Sequence, residues 1–157
     1  MADKRLNKLA KLLVNYSTEV KPGDLVFVSA DEVCTPWVTE VIKEATKAGA
    51  YVEYKLSSQE AREMQLKYSN DEQLRHGDLI METILEKADV WLSAWGGRNT
   101  RAFTNMDAEI LKKSQEGAKK WRRFYSDRMG SGELRWCGTQ YPTQSDAQEA
   151  SMSFSEY

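Results

Sequence analysis

The sequence is poor in the side chains that usually build catalytic and metal centres. It contains one histidine, His76, and two cysteines, Cys34 and Cys137, which lie far apart in the chain. Zinc and two-metal sites need three or more convergent ligands per ion from Cys, His, Asp or Glu. His76 stands among charged residues on a predicted helix, which is typical of a solvated surface side chain. The cysteines are predicted to be separate reduced thiols rather than a disulfide or a ligand pair.

The short motifs that carry catalytic chemistry are missing as well. The sequence has no HExxH, CxxC or DxDxDG pattern, and no GxSxG elbow, GxxxxGK[ST] phosphate loop or GxGxxG turn. The first predicted strand runs instead into Asp31 and Glu32, whose negative charge would repel a phosphate at the next helix start. A Rossmann-type dinucleotide site is therefore disfavoured. We predict no catalytic residue, no metal-binding residue and no bound cofactor in this chain.

Long apolar runs and a strong charge imbalance are also absent. No apolar run approaches the ~20 residues of a membrane span, and charges interrupt the amino-terminal segment where a signal peptide needs an apolar stretch. The net charge of −2 is too close to neutral to indicate a polyanionic partner. With 41% hydrophobic residues in a length of 157, the chain can form one domain with a core. We expect a cytoplasmic protein that binds neither membranes nor nucleic acid.

Four strand-like segments alternate with helical patterns. The strands are predicted at residues 25–29, 51–57, 89–95 and 134–140, and the helices at residues 4–16, 35–49, 58–87 (one helix or a pair) and 107–129. The first strand is apolar throughout, as in a strand covered on both faces, and the second alternates, as in a strand nearer a sheet edge. Right-handed crossovers make such strands parallel neighbours. The sequence therefore predicts an α/β fold: a three-layer domain with a mostly parallel, flavodoxin- or Rossmann-like sheet of about four or five strands and helices on both faces.

Capping residues, prolines and glycines predict where several helices begin and end. Thr35 is predicted to cap the second helix with Pro36 at its first position, and Gly49 to supply a left-handed stop. A turn is predicted at residues 130–132. After Pro142, Ser145 and Asp146 are predicted to begin a last helix with no stop signal, whose apolar positions are Ala147, Ala150, Met152 and Phe154.

The loop at residues 96–103 is the first candidate binding segment, because ligands of open parallel sheets bind just outside the carboxyl ends of the strands. Its side chains Arg98, Asn99 and Arg101 could hold a carboxylate or line an interdomain surface. From the residues alone we favour a flexible polar connection in which Gly96 and Gly97 are turn residues.

Residues 119–128 are the second candidate, since they mix basic and aromatic side chains as nucleic-acid surfaces do. At helical spacing, however, Trp121, Tyr125 and Met129 share one face and the charged side chains point elsewhere. An ordinary amphipathic helix is the favoured interpretation.

Several short stretches, in a fixed order along nearly the whole chain, carry a resemblance to a known family. They are the turn at residues 20–24, the sequence Asn-Thr-Arg-Ala at 99–102, Arg135-Trp136, Pro142-Thr143, Ala147-Gln148 and Ser-Glu-Tyr at 155–157. Together they resemble the amino-terminal region of the thermophilic metallo-aminopeptidases, the leucyl aminopeptidases of aminopeptidase T and aminopeptidase S type.

This resemblance implies a dimeric exopeptidase that removes amino-terminal residues such as leucine with two divalent metal ions, usually zinc, cobalt or magnesium. The family's metal ligands belong to a carboxyl-terminal domain. The resemblance therefore implies that residues 1–141 form an amino-terminal accessory domain and that residues 142–157 begin the metal-binding domain. This chain alone would be inactive. Its partners would be the carboxyl-terminal catalytic domain, peptide substrates and, in the complete enzyme, a second subunit.

Access to the metal cavity would then be shaped by the loops at residues 31–35 and 96–103, through Asp31, Glu32, Arg98, Asn99 and Arg101. The chain is expected to be either a fragment of a complete enzyme or a natural short homologue. Another class of function stays open: a standalone flavodoxin-like module that binds a small anion or a protein without catalysis. Nucleic-acid binding through residues 119–128 is a third hypothesis.

Overall fold

The computed structural model describes residues 3–157, in which strands and helices alternate along the chain. The strands are β1 (Leu25–Asp31), β2 (Tyr51–Ser57), β3 (Val90–Trp95) and β4 (Arg135–Gln140). The helices are α1 (Lys4–Leu12), α2 (Thr35–Lys47), α3 (Gln59–Tyr68), α4 (Asp71–Arg75), α5 (Leu79–Lys87), α6 (Ala108–Gly117), α7 (Lys119–Ser131) and α8 (Gln144–Glu149). Within these residues, no helix is both long and apolar enough to cross a bilayer.

The four strands form one parallel sheet in the order β2-β1-β3-β4. This matches the first four positions of the flavodoxin-type strand order. Val26, Phe27 and Val28 of β1 are completely buried, and β2 lies at an edge. The predicted α/β fold with a parallel sheet is confirmed, as are the covering of the first strand on both faces and the edge position of the second.

Helices cover both faces of the sheet. On one face α1 and α2 pack against a cluster that includes Val28, Leu92 and the fully buried Trp37. On the other face α5 and α7 pack around Phe27 and Leu85. There the ring of Trp91 stands edge-on to Tyr125, with centroids 4.8 Å apart. Trp121 and Tyr125 thus lie on the inner face of α7, as the amphipathic interpretation predicted.

The first helix differs from its prediction in its last turn. The α-helix ends at Leu12, and Leu13–Ser17 form a π-helical turn. A π turn holds one residue more than an α turn and rotates the following side chains. Val14 is therefore buried, whereas Tyr16, which was predicted on the apolar face, is 77% exposed.

The contact between α1 and α2 includes acidic residues that the apolar pattern did not indicate. Glu40 and Glu44 of α2 are buried. The Asn7 amide of α1 donates to Glu40 at 2.9 Å, and Lys43 and Lys47 reach back to the two carboxylates. The Lys43 and Asn7 hydrogen bonds lower the pKa of Glu40. Such burial is tolerated because each charge is paired and hydrogen-bonded.

Two of the long predicted helices are broken. Residues 58–87 form three helices, with a capping box of Asn70 and Gln73 at the start of α4 and an Asp78 cap at the start of α5. The helix predicted at residues 107–129 is divided into α6 and α7 at Ala118. The break lies where Gly117 packs on the α4–α5 connection: a Cβ there would be 2.8 Å from the Leu74 carbonyl oxygen.

One of the predicted helix ends is confirmed, and two differ in the structure. Gly49 has φ +85° after α2, which confirms the left-handed stop. The predicted cap at Thr35 is wrong, because its hydroxyl donates to the Glu32 carbonyl and the residue already belongs to the helix. The predicted turn at residues 130–132 is also shorter, since α7 continues to Ser131 and Gly132 closes it with φ +79°.

Arg135 joins β4 to the segment that precedes β1. Its guanidinium donates to the carbonyl oxygens of Thr18 and Glu19, at 2.9 and 2.6 Å, and pairs with Asp24 at 2.7 Å. Charge-assisted hydrogen bonds of this kind are stronger than neutral ones. The Arg-Trp stretch that contributed to the family resemblance thus has a structural role here.

We predict that Gly117→Ala destabilises the domain by about 1–3 kcal/mol, the usual cost of overpacking. The added methyl group would meet backbone atoms of Leu74, Arg75 and Gly77 that cannot move independently. The matched control is Gly130→Ala in α7, where a Cβ meets nothing within 4 Å. Removing a helical glycine there should leave stability unchanged or raise it by up to ~1 kcal/mol. Urea unfolding measures both, and equal effects of the two changes would contradict the assigned contact.

Candidate functional site at the carboxyl end of the sheet

The sheet changes its winding direction between β1 and β3, which is where open parallel sheets normally bind ligands. Here the two strand ends are joined: the Gly96 N–H donates to the Asp31 carboxylate at 3.0 Å. Gly96 is also covered from outside the sheet. A Cβ at Gly96 would lie 2.9 Å from the Tyr141 carbonyl oxygen and 3.0 Å from the Thr143 methyl group. The chain itself therefore fills the crevice at the switch point.

Helix α8 holds this covering segment in place. Thr143, not the predicted Ser145 or Asp146, caps the helix by accepting the Asp146 N–H. Thr143, Ser145 and Ala147 are buried, and the Ser145 hydroxyl donates to the Gly97 carbonyl oxygen. The helix also ends early, at Glu149, because Ser151 takes a left-handed conformation with φ 56°. Met152 and Phe154, predicted as its apolar positions, lie beyond it and are partly exposed.

The five residues predicted to shape access lie together along one rim of the sheet. Arg98 pairs with Glu32 at 2.9 Å, which bridges the ends of β3 and β1. Next to this pair, the Asp31 carboxylate accepts the hydrogen bond from the Gly96 N–H. The Asn99 backbone exchanges two hydrogen bonds with the Gln59 side chain, at 2.8 and 3.1 Å.

Arg101 extends this rim to α8. Its guanidinium binds the Glu149 carboxylate at 3.0 Å, and the Thr100 hydroxyl binds the same group at 2.9 Å. The Arg101 and Thr100 hydrogen bonds lower the pKa of Glu149, so this carboxylate is charged at neutral pH. The stretch at residues 96–101 is thus fixed by several contacts to other elements rather than being a simple polar connection. We call the set of Asp31, Glu32, Arg98, Asn99 and Arg101 the rim.

Cys34 lies beneath the closed switch point. It is completely buried, and its sulfur is 3.4 Å from the position of a Cβ on Gly96. Burial, and secondly the Asp31 carboxylate, raise the pKa of the Cys34 thiol to about 12. Because the thiolate is the reactive form, this cysteine is a packing residue and not a nucleophile. Cys34 and Cys137 are both free thiols.

An open cleft of about 1040 Å³ lies beside the rim, at the carboxyl end of β2. Its walls come from α3, the α4–α5 connection, α6 and α7, and they include Lys55, Arg62, Asp78, Phe103, Trp121 and Arg122. Rim residues Asp31, Glu32 and Arg98 form one of its borders. His76, the single histidine, borders this cleft and is exposed to solvent, as predicted.

The cations of this cleft differ in how they are paired. Lys55 binds Asp78, and Arg98 binds Glu32. Arg62 instead donates to the Ser114 hydroxyl, and the Arg122 guanidinium lies 5.5 Å from the centre of the Trp121 ring. Neither has a carboxylate partner within residues 3–157. The sequence had singled out residues 119–128 for their basic and aromatic side chains, but nothing in it indicated that Arg62 and Arg122 would line the same cleft.

The described residues do not fit a metal centre. Between residues 3 and 157, no group of three or more His, Cys, Asp and Glu side chains is arranged to hold an ion. Asp31, Glu32 and Asp78 near the cleft are engaged with Gly96, Arg98 and Lys55. The expectation that this chain supplies no metal ligand stays a prediction.

Comparison with solved structures identifies a similar fold. Wild-type AmpT from Thermus thermophilus matches with a TM-score of 0.76 at 16% sequence identity, over 90% of this chain and 37% of that chain. Identity this low establishes the fold alone, and the chain spans little more than a third of AmpT. The crystal structure of CurK enoyl reductase matches 92% of this chain and 44% of its own, with 12% identity and a TM-score of 0.39, too low to indicate a common fold.

Comparison of sequences identifies the family. No curated protein matches this chain significantly. The sequence profile of the thermophilic metalloproteases (M29), however, matches residues 2–157, which is almost the entire sequence. The chain therefore belongs to the thermophilic metalloprotease family M29.

Proposed function

We propose that this chain is the amino-terminal accessory domain of a two-metal aminopeptidase of the aminopeptidase T or S type, which removes residues such as leucine from peptides. Membership of the M29 metalloproteases supports this activity, and the fold shared with part of AmpT supports the role of a domain within a longer enzyme. The divalent ions, zinc, cobalt or magnesium, would be held by a carboxyl-terminal catalytic domain. The accessory domain would be inactive alone.

The observation that carries this proposal is the position of α8 on the rim. Residues 142–157 are the segment that we predict to begin the catalytic domain, and Glu149 of this segment binds Thr100 and Arg101. The catalytic domain would then adjoin the rim, with the exposed Arg98–Glu32 pair beside the cleft. Peptide substrates would pass these charged side chains on their way to the metal ions. The rim would thus influence which peptides enter, without taking part in hydrolysis.

The assay of this chain on a leucyl anilide with added Zn²⁺, Co²⁺ or Mg²⁺ is predicted to give only the background rate. The reason is that the described residues contain no group able to bind two ions. The control is isothermal titration with each metal, which should detect no stoichiometric site. Metal-dependent turnover, abolished by a chelator, would show ligands within this chain and would contradict the accessory role.

A second candidate function is the binding of a small anion in the cleft, as in a standalone module without catalysis. It is favoured by one observation: Arg62 and Arg122 line the same cleft without a carboxylate partner in residues 3–157. Guanidinium groups bind carboxylates and phosphates through paired hydrogen bonds. The nearby Trp121 and Phe103 would suit an anion that carries an apolar or aromatic group.

A thermal-shift series with citrate, phosphate and nucleoside monophosphates tests this second candidate. A ligand present at ~100 times its Kd should add about 2.7 kcal/mol of stability. Arg122→Gln should abolish the shift. The matched control is Arg123→Gln, which changes the adjacent arginine outside this cleft, where it pairs with Asp127. Equal shifts in both variants, or none with any anion, would count against an anion site.

A further inference from the structure

Strand β2 presents a free edge to its surroundings. It is the terminal strand of the sheet and pairs on one side only, with β1. The Tyr51 N–H donates to the Asp24 carbonyl, so the backbone groups of Tyr51 and of alternate residues after it face β1. Because these groups alternate along a strand, the N–H and C=O groups of Val52, Tyr54 and Leu56 point outward. Within residues 3–157 these N–H groups donate to no other segment, and these C=O groups accept from none.

Two features that normally prevent strand pairing, proline and a β-bulge, are missing from this edge, and the charged side chains Glu53 and Lys55 are the ones present. It is seven residues long, without proline and without a bulge in its register with β1. Large side chains on it are open to solvent: Tyr51 is 71% exposed, Tyr54 60% and Leu56 38%. Long, exposed, apolar edge strands are templates for pairing with another chain. The edge is therefore a candidate interaction surface.

The sequence of β2 is complementary to itself when it is turned through a two-fold axis. If Tyr54 lies opposite Tyr54 of a second copy in an antiparallel pair, residues 51–57 align with residues 57–51 over their full length. The outward-facing N–H and C=O groups of Val52 then lie opposite those of Leu56 in the second copy, and those of Tyr54 lie opposite those of its Tyr54. These residues form the hydrogen-bonded pairs of the antiparallel ladder. Glu53 lies opposite Lys55 of the second copy, and Lys55 opposite its Glu53. These are non-hydrogen-bonded pairs, in which the Cα atoms come within about 4.5 Å and the side chains are closest.

Charge also disfavours the two neighbouring alignments. An axis at Glu53 would set two glutamates directly opposite each other, and an axis at Lys55 would set two lysines opposite each other. Like charges in these positions destabilise a strand pair, whereas opposite charges stabilise it. Glu53 has no ion pair within the described part of the chain, and Lys55 binds Asp78 from the start of α5. Lys55 would therefore lie between Asp78 and Glu53 of the second copy.

We propose that β2 pairs antiparallel with β2 of a second copy of this chain, with Tyr54 on the two-fold axis. The two sheets then form one continuous eight-stranded sheet. Such an interface is isologous, because the same surface is used on both subunits. This inference rests on the exposed edge and its charge pattern, not on the proposed peptidase function. The family resemblance implied a homodimer, but it did not indicate which surface of this domain would form the interface.

Sedimentation of single and mixed variants tests the pairing. Glu53→Lys and Lys55→Glu each set like charges opposite in both pairs, so each variant alone should dimerise at least tenfold more weakly than the wild type. Mixing the two variants restores opposite charges at both positions, so a heterodimer should form. Circular dichroism and urea unfolding of each variant verify the fold. A monomeric wild type, unaltered single variants or a mixture that stays monomeric would each overturn the proposal.

Disulfide trapping tests the alignment without altering charge. In a Cys137→Ser background, Tyr54→Cys should give a covalent dimer with oxidised glutathione, because Cα atoms of a hydrogen-bonded pair are about 5.5 Å apart, within disulfide range. The matched control is Tyr51→Cys, another exposed tyrosine on the same strand, whose partner in this alignment is Ser57. It should not cross-link. Equal cross-linking of both variants, or none with Tyr54→Cys, would contradict the alignment.

Discussion

The hydrogen bond from the Gly96 N–H to the Asp31 carboxylate is the contact on which the candidate site depends. It joins the ends of β1 and β3 at the point where the sheet changes its winding direction. Since Gly96 has no Cβ, the Tyr141–Thr143 segment can lie directly against it. That contact brings α8 onto the rim and buries Cys34 below. The crevice that parallel sheets commonly offer to ligands is therefore closed by the protein's own chain, and the open space lies to one side, in the cleft at the carboxyl end of β2.

Much of this fold was predictable, because the periodicity of apolar residues and the right-handed crossovers between parallel strands allow few arrangements of the helices and strands. The apolar β1 had to be central, and the strand ends had to meet, which placed the rim residues at one edge from sequence alone. The misplaced features depend on contacts between distant elements. Gly117 ends α6 because it packs on the α4–α5 connection, and Glu40 is buried because Asn7 from α1 reaches it. Neither partner can be read from the local sequence.

In the candidate site too, the positions of residues along the chain were predictable and their contacts with distant elements were not. Arg98 and Arg101 were predictable as strand-end residues, but their partners were not. Glu149 was expected only as part of an unbounded last helix, and it instead binds Arg101 from a short helix that ends there. The cleft was not predictable at all, since Arg62 and Arg122 line one cavity only when α3, α6 and α7 pack around it. The proposed accessory role uses the rim with α8, whereas the β2 pairing uses the outward-facing backbone groups of Val52, Tyr54 and Leu56, so the two proposals depend on different contacts.

Amide hydrogen exchange at two adjacent glycines tests the closed switch point most directly. The Gly96 N–H is bonded to Asp31 under the covering segment, while the Gly97 N–H has no hydrogen-bond acceptor within residues 3–157. Exchange followed by NMR should therefore be much slower at Gly96 than at Gly97, because a buried, bonded amide exchanges only when the structure opens. Equally fast exchange at both glycines would mean that the crevice is open to solvent, and it would contradict the closure of the switch point by the Tyr141–Thr143 segment.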